Sequence, residues 1–175
     1  MAKSNLDRTD FEILAALQKN ARLSNKELAA TVGLAPSSCL ERVRRLIRSG
    51  VLRGFHADVD PAALGIEIEA MIAVRLERHS REDVDRFRAH VMGLPETVAL
   101  YHLAGANDFL AHVAVRDTHH LQELVLEAFT TWPEIAHLET ALVFGYTRSV
   151  VLPEYRDGES PPPAGGRVSS GRDRT

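Results

Sequence analysis

The sequence has one cysteine, three lysines and no apolar run long enough to cross a membrane. Because a disulfide needs two cysteines, the lone Cys39 excludes an internal disulfide framework, and this fits a reducing compartment. The longest apolar segments are far shorter than the ~20 residues of a membrane-spanning helix. The first residues also lack the apolar segment of a signal peptide. We therefore expect a cytoplasmic protein with no membrane partner.

Motifs for catalysis are missing as well. The sequence has no nucleophile elbow, no P-loop and no glycine-rich dinucleotide turn. Eight histidines invite a metal hypothesis. However, His119 and His120 are adjacent and point in different directions, and His102 with His112 supplies fewer ligands than zinc prefers. We expect no catalytic residue, no metal site and no bound cofactor, and we expect solvent-facing or hydrogen-bonded histidines.

Three helices are predicted in the first fifty residues. Residues 6–20 place apolar side chains at helical spacing and acidic ones in the first turns, where the helix dipole favours them. Residues 24–32 open with a capping box and form a short second helix. Gly33 then ends the second helix. A third helix is predicted over residues 35–50, with proline in its first turn. This order predicts a helix-turn-helix.

The third helix carries four arginines within seven residues. At 3.6 residues per turn, its core-facing residues are predicted to be Leu40, Val43, Leu46 and Ile47. The residues expected on or beside the opposite face are Ser37, Ser38, Glu41, Arg42 and Arg45. Small hydroxyls followed by arginines suit a helix laid in the DNA major groove, although a solvated basic helix has the same pattern. Cys39 is either a redox-sensitive thiol or a small packing residue.

The charge distribution favours DNA binding despite a net charge of −3. Residues 1–60 hold ten basic and seven acidic side chains, whereas the rest hold eleven and seventeen, and phosphate contacts depend on local charge. Residues 51–59 are predicted to form a hairpin wing. We expect base contacts from Ser37, Ser38 and Arg42, with Arg42 or Arg45 suited to guanine. The residues expected at phosphates are Ser24, Asn25, Arg44, Arg48 and Arg53.

Beyond residue 65 the pattern changes to alternating strands and helices. The predicted elements are a strand over 66–76, a helix over 80–92, strands over 98–104 and 109–115 joined by a turn, a helix opened by Asp117 or Thr118, and a strand within 135–151. The order βαββαβ predicts a ferredoxin-like domain, in which one antiparallel sheet carries both helices on one face.

The other face of that sheet is left bare. Because many residues on both faces are apolar, we expect it or a sheet edge to pack against another subunit, with a homodimer as the minimal assembly. The fold class is α+β, with a winged helix-turn-helix over residues 1–60, a hinge over 61–65 and the ferredoxin-like domain over 66–152. Residues 153–175, rich in Pro, Gly and Ser, are predicted to be a disordered tail.

Across residues 6–152 the sequence resembles the leucine-responsive regulator/AsnC (Lrp/AsnC) family of transcription factors. The sharpest match is CLERVRRL at residues 39–46, and residues 6–10 and 32–34 match as well. The resemblance implies a winged helix-turn-helix followed by a ligand-sensing (RAM-type) domain that regulates amino-acid metabolism. It also implies dimers that assemble into tetramers, octamers or larger discs. The implied partners are double-stranded DNA and a small-molecule effector.

The resemblance further implies an effector site at the central hairpin turn, where a free amino acid binds. The residues assigned to it are Gly105, Ala106, Asn107, Asp108, Phe109 and Thr140. The family usually has an acidic and an aromatic residue where this chain has Ala106 and Asn107, so the effector stays open, as does a loss of the response. Asp108, Asn107 and backbone N–H groups are the groups available to an amino acid, and the same residues also suit an ordinary hairpin turn.

Two other classes of function stay open. A DNA-organising protein with little sequence preference would share the basic helix. An enzyme would share the βαββαβ fold, but no catalytic motif supports one.

Overall fold

Each of the first three helices begins where its sequence provides a suitable residue. The structure, a computed structural model, describes residues 6–78 and 80–155. Helix α1 (Arg8–Lys19) has Asp7 as its N-cap, α2 (Asn25–Thr31) has Ser24, and α3 (Pro36–Arg48) has proline at its start. Gly33, between α2 and α3, has a φ of 67°, a left-handed conformation that favours glycine. The predicted helix-turn-helix is confirmed.

Side chains from all three helices form one small core. The buried hydrophobic residues of this core are Ile13, Leu17, Leu28, Ala29, Cys39 and Leu46. Val51 and Leu52 pack onto it from the chain that follows α3. This core belongs to the first of two compact units, which contains residues 6–56 and 148–155 of the described chain.

The hairpin wing predicted over residues 51–59 is absent. In the described chain, residues 53–60 adopt neither strand nor helix, and Phe55 and Val59 are about half exposed. An isolated two-stranded hairpin is only marginally stable in water. Here only Val51 and Leu52, at its very start, have a core to pack against. The prediction of a hairpin was therefore wrong, and Arg53 lies in an irregular segment.

A four-stranded antiparallel sheet organises the second unit, residues 57–147. Its elements are a 3₁₀ turn (Pro61–Leu64), β1 (Ile68–Leu76), α4 (Arg81–Met92), β2 (Thr97–His102), β3 (Phe109–Val115), α5 (Thr118–Leu124) and β4 (Ile135–Leu142). The strand order is β2-β3-β1-β4. This is the predicted βαββαβ arrangement, with β1 and β3 at the centre of the sheet.

Alternating side chains on the central strands separate two faces of the sheet. Ala70, Ile72 and Val74 of β1 are fully buried in a core with Phe87 of α4 and Phe129, which follows α5. The intervening residues of β1 and their cross-strand partners form the opposite side, called here the open face. It contains Glu69, Met71, Ala73, Arg75, Ala99, Tyr101, Leu110, His112, Ala114, His137, Glu139 and Ala141.

The last helical segment widens into a π-helix, where the sequence predicted a continuous α-helix. Residues Val125–Thr130 form this segment directly after α5. The Thr130 hydroxyl donates to the Val125 carbonyl at 3.1 Å, and His90 Nε2 lies 2.7 Å from the Ala128 carbonyl oxygen. These side chains supply partners to carbonyls that a wider turn leaves without regular α-helical bonds.

Most of the predicted tail lies outside the described residues. Residues 156–175 lie outside them, and the tail prediction therefore stays a prediction. The Leu152 N–H donates to Gln18 Oε1 at 2.8 Å, which ties the chain just before the tail to α1. No helix in the described ranges has the length and apolar character to cross a membrane.

Candidate nucleic-acid interface and ligand-binding turn

The buried stripe of α3 is rotated from its predicted position. Cys39 and Leu46 are buried, and Arg42 and Val43 between them are half-buried. Leu40 and Ile47 were predicted to face the core but are 38% and 47% exposed. The inward face therefore consists of Cys39, Arg42, Val43 and Leu46. The placement of Arg42 on the outward face was wrong, because its charge has partners on the inner side.

Those partners are two carboxylates at the start of α1. Asp10 is completely buried. It accepts a hydrogen bond from Arg42 Nη1 at 2.9 Å and two from Arg45 Nη2, both at 2.6 Å. Arg42 Nη1 also donates to Asp7 Oδ2 at 2.6 Å. We call Asp7, Asp10, Arg42 and Arg45 the α1–α3 ion network. It joins α1 to α3, the recognition helix that is predicted to lie in the DNA major groove.

The network shifts the pKa values of Asp7 and Arg42. The hydrogen bond from Arg42, assisted by the backbone N–H of Asp10, lowers the pKa of Asp7. The carboxylates of Asp7 and Asp10 in turn raise the pKa of Arg42. A buried carboxylate is tolerated only when charged donors surround it. Arg42 and Arg45 meet that need, so these arginines are engaged within the protein before any DNA is present.

The face of α3 opposite the buried stripe is exposed and polar. By helical geometry it contains Ser37, Glu41, Arg44 and Arg48, with Ser38 and Arg45 on one flank. Arg48 Nη2 donates to Glu41 Oε1 at 2.9 Å, across two turns of the helix. Ser37 and Ser38, at the exposed N-terminal end of α3, lie where the sequence predicted base contacts. The sequence analysis did not assign Glu41 to DNA contact. Its spacing from Ser37 and Arg48 nevertheless places all three on the exposed face of α3.

The residues predicted at phosphates near α2 have structural partners. Ser24 Oγ accepts from the Glu27 N–H at 3.3 Å, and the Ser24 N–H donates to Glu27 Oε2 at 2.8 Å. Asn25 Nδ2 donates to the Pro36 carbonyl at 2.8 Å. This bond ties the start of α2 to the start of α3. Asn25 thereby helps to fix the angle between the two helices of the motif.

Cys39 lies inside the helical core. Its side chain has no exposed surface, and burial raises the pKa of its thiol. Reactive cysteines have the opposite character, because a lowered pKa and exposure favour the thiolate. Of the two alternatives for Cys39, the packing residue is the one that the structure supports.

Asp108, in the turn between β2 and β3, makes two hydrogen bonds to β1. Asp108 Oδ2 accepts the Leu76 N–H at 2.7 Å, and the Asp108 N–H donates to the Val74 carbonyl at 2.9 Å. Both bonds bind the turn to the end of β1. Gly105 and Ala106 are exposed and Asn107 is half-buried. The Asp108 carboxylate is thus part of the sheet, a role that sequence reasoning missed because Leu76 is 32 positions away.

The other two residues assigned to the effector site lie elsewhere. The Phe109 ring is fully buried, 4.9 Å from the Phe87 ring and stacked at 4.7 Å on His102. Thr140 lies on β4 opposite Ile72, and β1 separates it from the turn. Within one subunit the structure therefore brings together Gly105, Ala106, Asn107 and Asp108, but not Thr140.

Several of the described histidines have hydrogen-bond or ring partners within the protein. His112 Nε2 lies 2.5 Å from Glu69 Oε2 on the open face, whereas His102 stacks on the helix side of the sheet. His120 Nε2 lies 3.1 Å from Glu96 Oε1. His102 and His112 therefore lie on opposite faces of the sheet. Among the described residues, no three histidine, cysteine or acidic side chains form a group able to hold a metal.

Comparisons with known proteins match both units. A family model described as winged helix-turn-helix DNA-binding matches residues 6–53, and one described as the Lrp/AsnC ligand binding domain matches residues 69–150. The HTH-type transcriptional regulator AldR of Mycolicibacterium smegmatis is 44% identical over 144 residues, which cover 82% of this chain and 84% of AldR. The leucine-responsive regulatory protein of Salmonella typhimurium is 35% identical over 139 residues, covering 79% and 85%.

Solved structures show the same architecture. A transcriptional regulator from Neisseria meningitidis, crystallised as a complex with L-Met, superposes with a TM-score of 0.76 at 30% identity, covering 83% of this chain and 94% of that one. AsnC of E. coli gives a TM-score of 0.73 at 29% identity, covering 83% and 98%.

Proposed function

Because the chain belongs to the Lrp/AsnC family of transcriptional regulators, we propose that it controls genes of amino-acid metabolism as a DNA-bound homo-oligomer. Its partners are double-stranded DNA and a free amino acid or related metabolite. We place it in the cytoplasm, with the DNA it regulates, and assign it no catalytic step and no cofactor.

The observation that carries this proposal is that the arginines of α3 lie on two different sides of the helix. Arg42 and Arg45 face Asp10 and brace the helix, whereas Arg44 and Arg48 lie on the exposed face with Ser37. We assign base contacts to Ser37 and Ser38, at the N-terminal end of the recognition helix, where such contacts are made. Arg44, Arg48 and Arg53 hold phosphates, with the α2 N-terminus at Ser24–Asn25 as a further contact.

The open face supports the homodimer. It presents apolar side chains such as Met71, Ala73, Leu110 and Ala141 on strands whose other side is already a filled core. Contiguous apolar surface of this kind marks a protein interface. A dimer pairs two recognition helices on a pseudo-palindromic site, with half-sites about 34–36 Å apart or a multiple of it. Assembly into tetramers or octamers is part of the same proposal.

The effector is proposed to bind at the exposed turn, Gly105–Asn107. Asn107 and the backbone N–H groups offer donors to a carboxylate. The Asp108 carboxylate, which also accepts the Leu76 N–H, is the acceptor that we assign to the ammonium group. Thr140 enters the site only if a neighbouring subunit supplies it, since β1 separates it from the turn within one subunit. The L-Met complex of the Neisseria relative supports an amino acid as the class of ligand.

The deciding experiment is a DNA-binding titration with the full chain. The DNA is the region upstream of its own gene, titrated with and without each of the twenty amino acids. A specific complex shifted by one or a few amino acids supports the ligand-responsive regulator and names the effector. Specific binding that no amino acid changes would reduce the proposal to a regulator without this response.

A DNA-organising protein is the second candidate, because the exposed face of α3 is rich in arginine. It differs in one measurable respect. Its affinity would fall steeply with salt and barely change between DNA sequences. A sharp preference for one upstream site at physiological salt would exclude it.

A further inference from the structure

Glu41 is the one acidic residue within α3, and it lies on the exposed face rather than at the edge of the helix. Ser37 precedes it by one turn, Arg44 follows at the next turn, and Arg48 lies two turns beyond it. Its side chain is 65% exposed. A helix that lays this face in a DNA groove brings an acidic group against a polyanion, which is unfavourable unless the carboxylate meets a donor.

The carboxylate is both charged and oriented. Arg48 Nη2 donates to Glu41 Oε1 at 2.9 Å. This hydrogen bond, with the charges of Arg48 and Arg44, lowers the pKa of Glu41. The side chain is therefore an acceptor only, and it has no proton to give to a phosphate or to a guanine. Oε2 has no part in the bond with Arg48.

Few groups in the major groove satisfy such an acceptor. Phosphates and the O6 and N7 atoms of guanine are acceptors themselves, and thymine offers an acceptor and a methyl group. The donors are the amino groups of cytosine and adenine. Glutamate accepts from cytosine N4, whereas adenine is matched better by Asn or Gln, which bond N6 and N7 together.

We propose that Glu41 is a specificity-determining residue that accepts a hydrogen bond from cytosine N4 in each half-site, with Arg48 holding its carboxylate in place. The proposal rests on the DNA binding proposed above. Where that position is not cytosine, the Glu41 carboxylate would be buried against the DNA without a donor and repelled by its charge. Glu41 therefore also weakens binding to other sequences. Glu41 thus raises specificity both by attraction to the correct base and by rejection of others.

The test is binding-site selection from a random duplex library, performed with the full-length wild type, Glu41→Gln and Glu41→Ala. Glu12→Gln is the matched control, since Glu12 is also an exposed glutamate paired with an arginine at 2.9 Å, but on α1. We expect the wild type and Glu12→Gln to select cytosine at one position per half-site, by at least about fivefold over other bases. Both Glu41 variants should lose that preference, keep the others, and bind random DNA more tightly.

A modified duplex separates cytosine recognition from guanine recognition. If Arg48 reads the guanine of the same base pair, 7-deazaguanine there weakens wild-type binding, because it removes the N7 acceptor. If Glu41 reads the cytosine, the modified duplex binds like the unmodified one.

Three results overturn the proposal: Glu41 variants that select the same bases as the wild type, a Glu41-dependent position that is not cytosine, or sensitivity to 7-deazaguanine. A wild type that selects no site at all overturns the sequence-specific regulator as well. Sequence-selective wild-type binding with unchanged Glu41 variants leaves that function standing.

Discussion

Asp10 is the residue on which the position of the recognition helix depends. It has no exposed surface and receives three hydrogen bonds from two arginines that lie 32 and 35 positions away in the sequence. Replacement of Asp10 removes the acceptor that Arg42 and Arg45 share, whereas Arg42 keeps its bond to Asp7 and both arginines have access to solvent.

We therefore expect Asp10→Ala to lower the free energy of unfolding by about 1.5–3 kcal/mol, the range for hydrogen bonds to a charged group. Urea denaturation followed by far-UV circular dichroism measures this. Glu12→Ala, which breaks the exposed pair with Arg8 on the same helix, should cost about 0.3–0.5 kcal/mol. Equal effects of the two substitutions would show that the Asp10 network contributes little.

Asp7 makes the stability of the same network depend on pH. Its pKa is lowered in the folded state by Arg42 and by the Asp10 N–H. Its contribution is therefore complete above the ordinary aspartate pKa of ~3.9 and is lost as the pH falls through the lowered folded value. Asp7→Asn keeps an acceptor for the helix cap but removes the titration.

The variant should be less stable than the wild type near pH 7, and the difference should shrink below about pH 4. Urea titrations at a series of pH values from 7 to 3 measure it. A difference that stays constant over the whole range would show that the ionisation of Asp7 does not contribute to the pH dependence of stability.

At the residue scale, the sequence reveals which side chains are charged but not where their partners are. Arg42 was expected on or beside the outward face because the helical spacing grouped the apolar residues of α3 on the other face, and a charged side chain on an inward face is normally costly. Asp7 and Asp10 remove that cost, and their approach to Arg42 depends on the packing of α1 against α3. The same applies to Asp108, whose bond to Leu76 follows from the pairing of the turn with β1.

At the scale of single elements, caps and alternation were sufficient signals. Ser24, Ser80 and Pro36 begin their helices as predicted, and β1 alternates between buried and partly exposed residues as its sequence does. The lack of strands in residues 53–60 and the presence of the π-helix were not predictable from such signals. A wing needs a surface to pack on, and the π-helix depends on contacts from Thr130 and His90.

Ser80 gives a test of this reasoning. Its hydroxyl accepts the Asp83 N–H at 3.1 Å at the start of α4. Ser80→Ala should lower the free energy of unfolding of the second unit by about 1 kcal/mol, as measured by chemical denaturation. Ser80→Thr, which keeps a hydroxyl both as the capping acceptor and as a donor to Asp83 Oδ2, should recover much of that loss. Failure of threonine to recover it would argue against capping as the role of Ser80.

At the scale of the whole molecule, the open face is the surface through which we propose that two chains pair. Ala73 lies at the centre of that face, between Leu110 and Glu139 on the neighbouring strands. A long charged side chain here would hold a second sheet away, because packed sheets lie only about 10 Å apart. Ala73→Lys should therefore yield monomers where the wild type is a dimer or larger.

Size-exclusion chromatography with light scattering measures the mass. Ala89→Lys is the control, because Ala89 is exposed on α4, away from the open face. It should leave the dimer intact. If Ala73→Lys has the mass of the wild type, the dimer does not form through the open face.

The two-helix origin of the α1–α3 ion network has a consequence for engineering. A designer who wishes to transfer this protein's DNA preference into another helix-turn-helix scaffold would naturally graft residues 36–48 alone. Such a chimera would place Arg42 on the inner side of the helix without Asp7 and Asp10. The helix would then have to rotate about its axis so that the guanidinium could reach water. The portable unit is the recognition helix together with the two aspartates that begin α1.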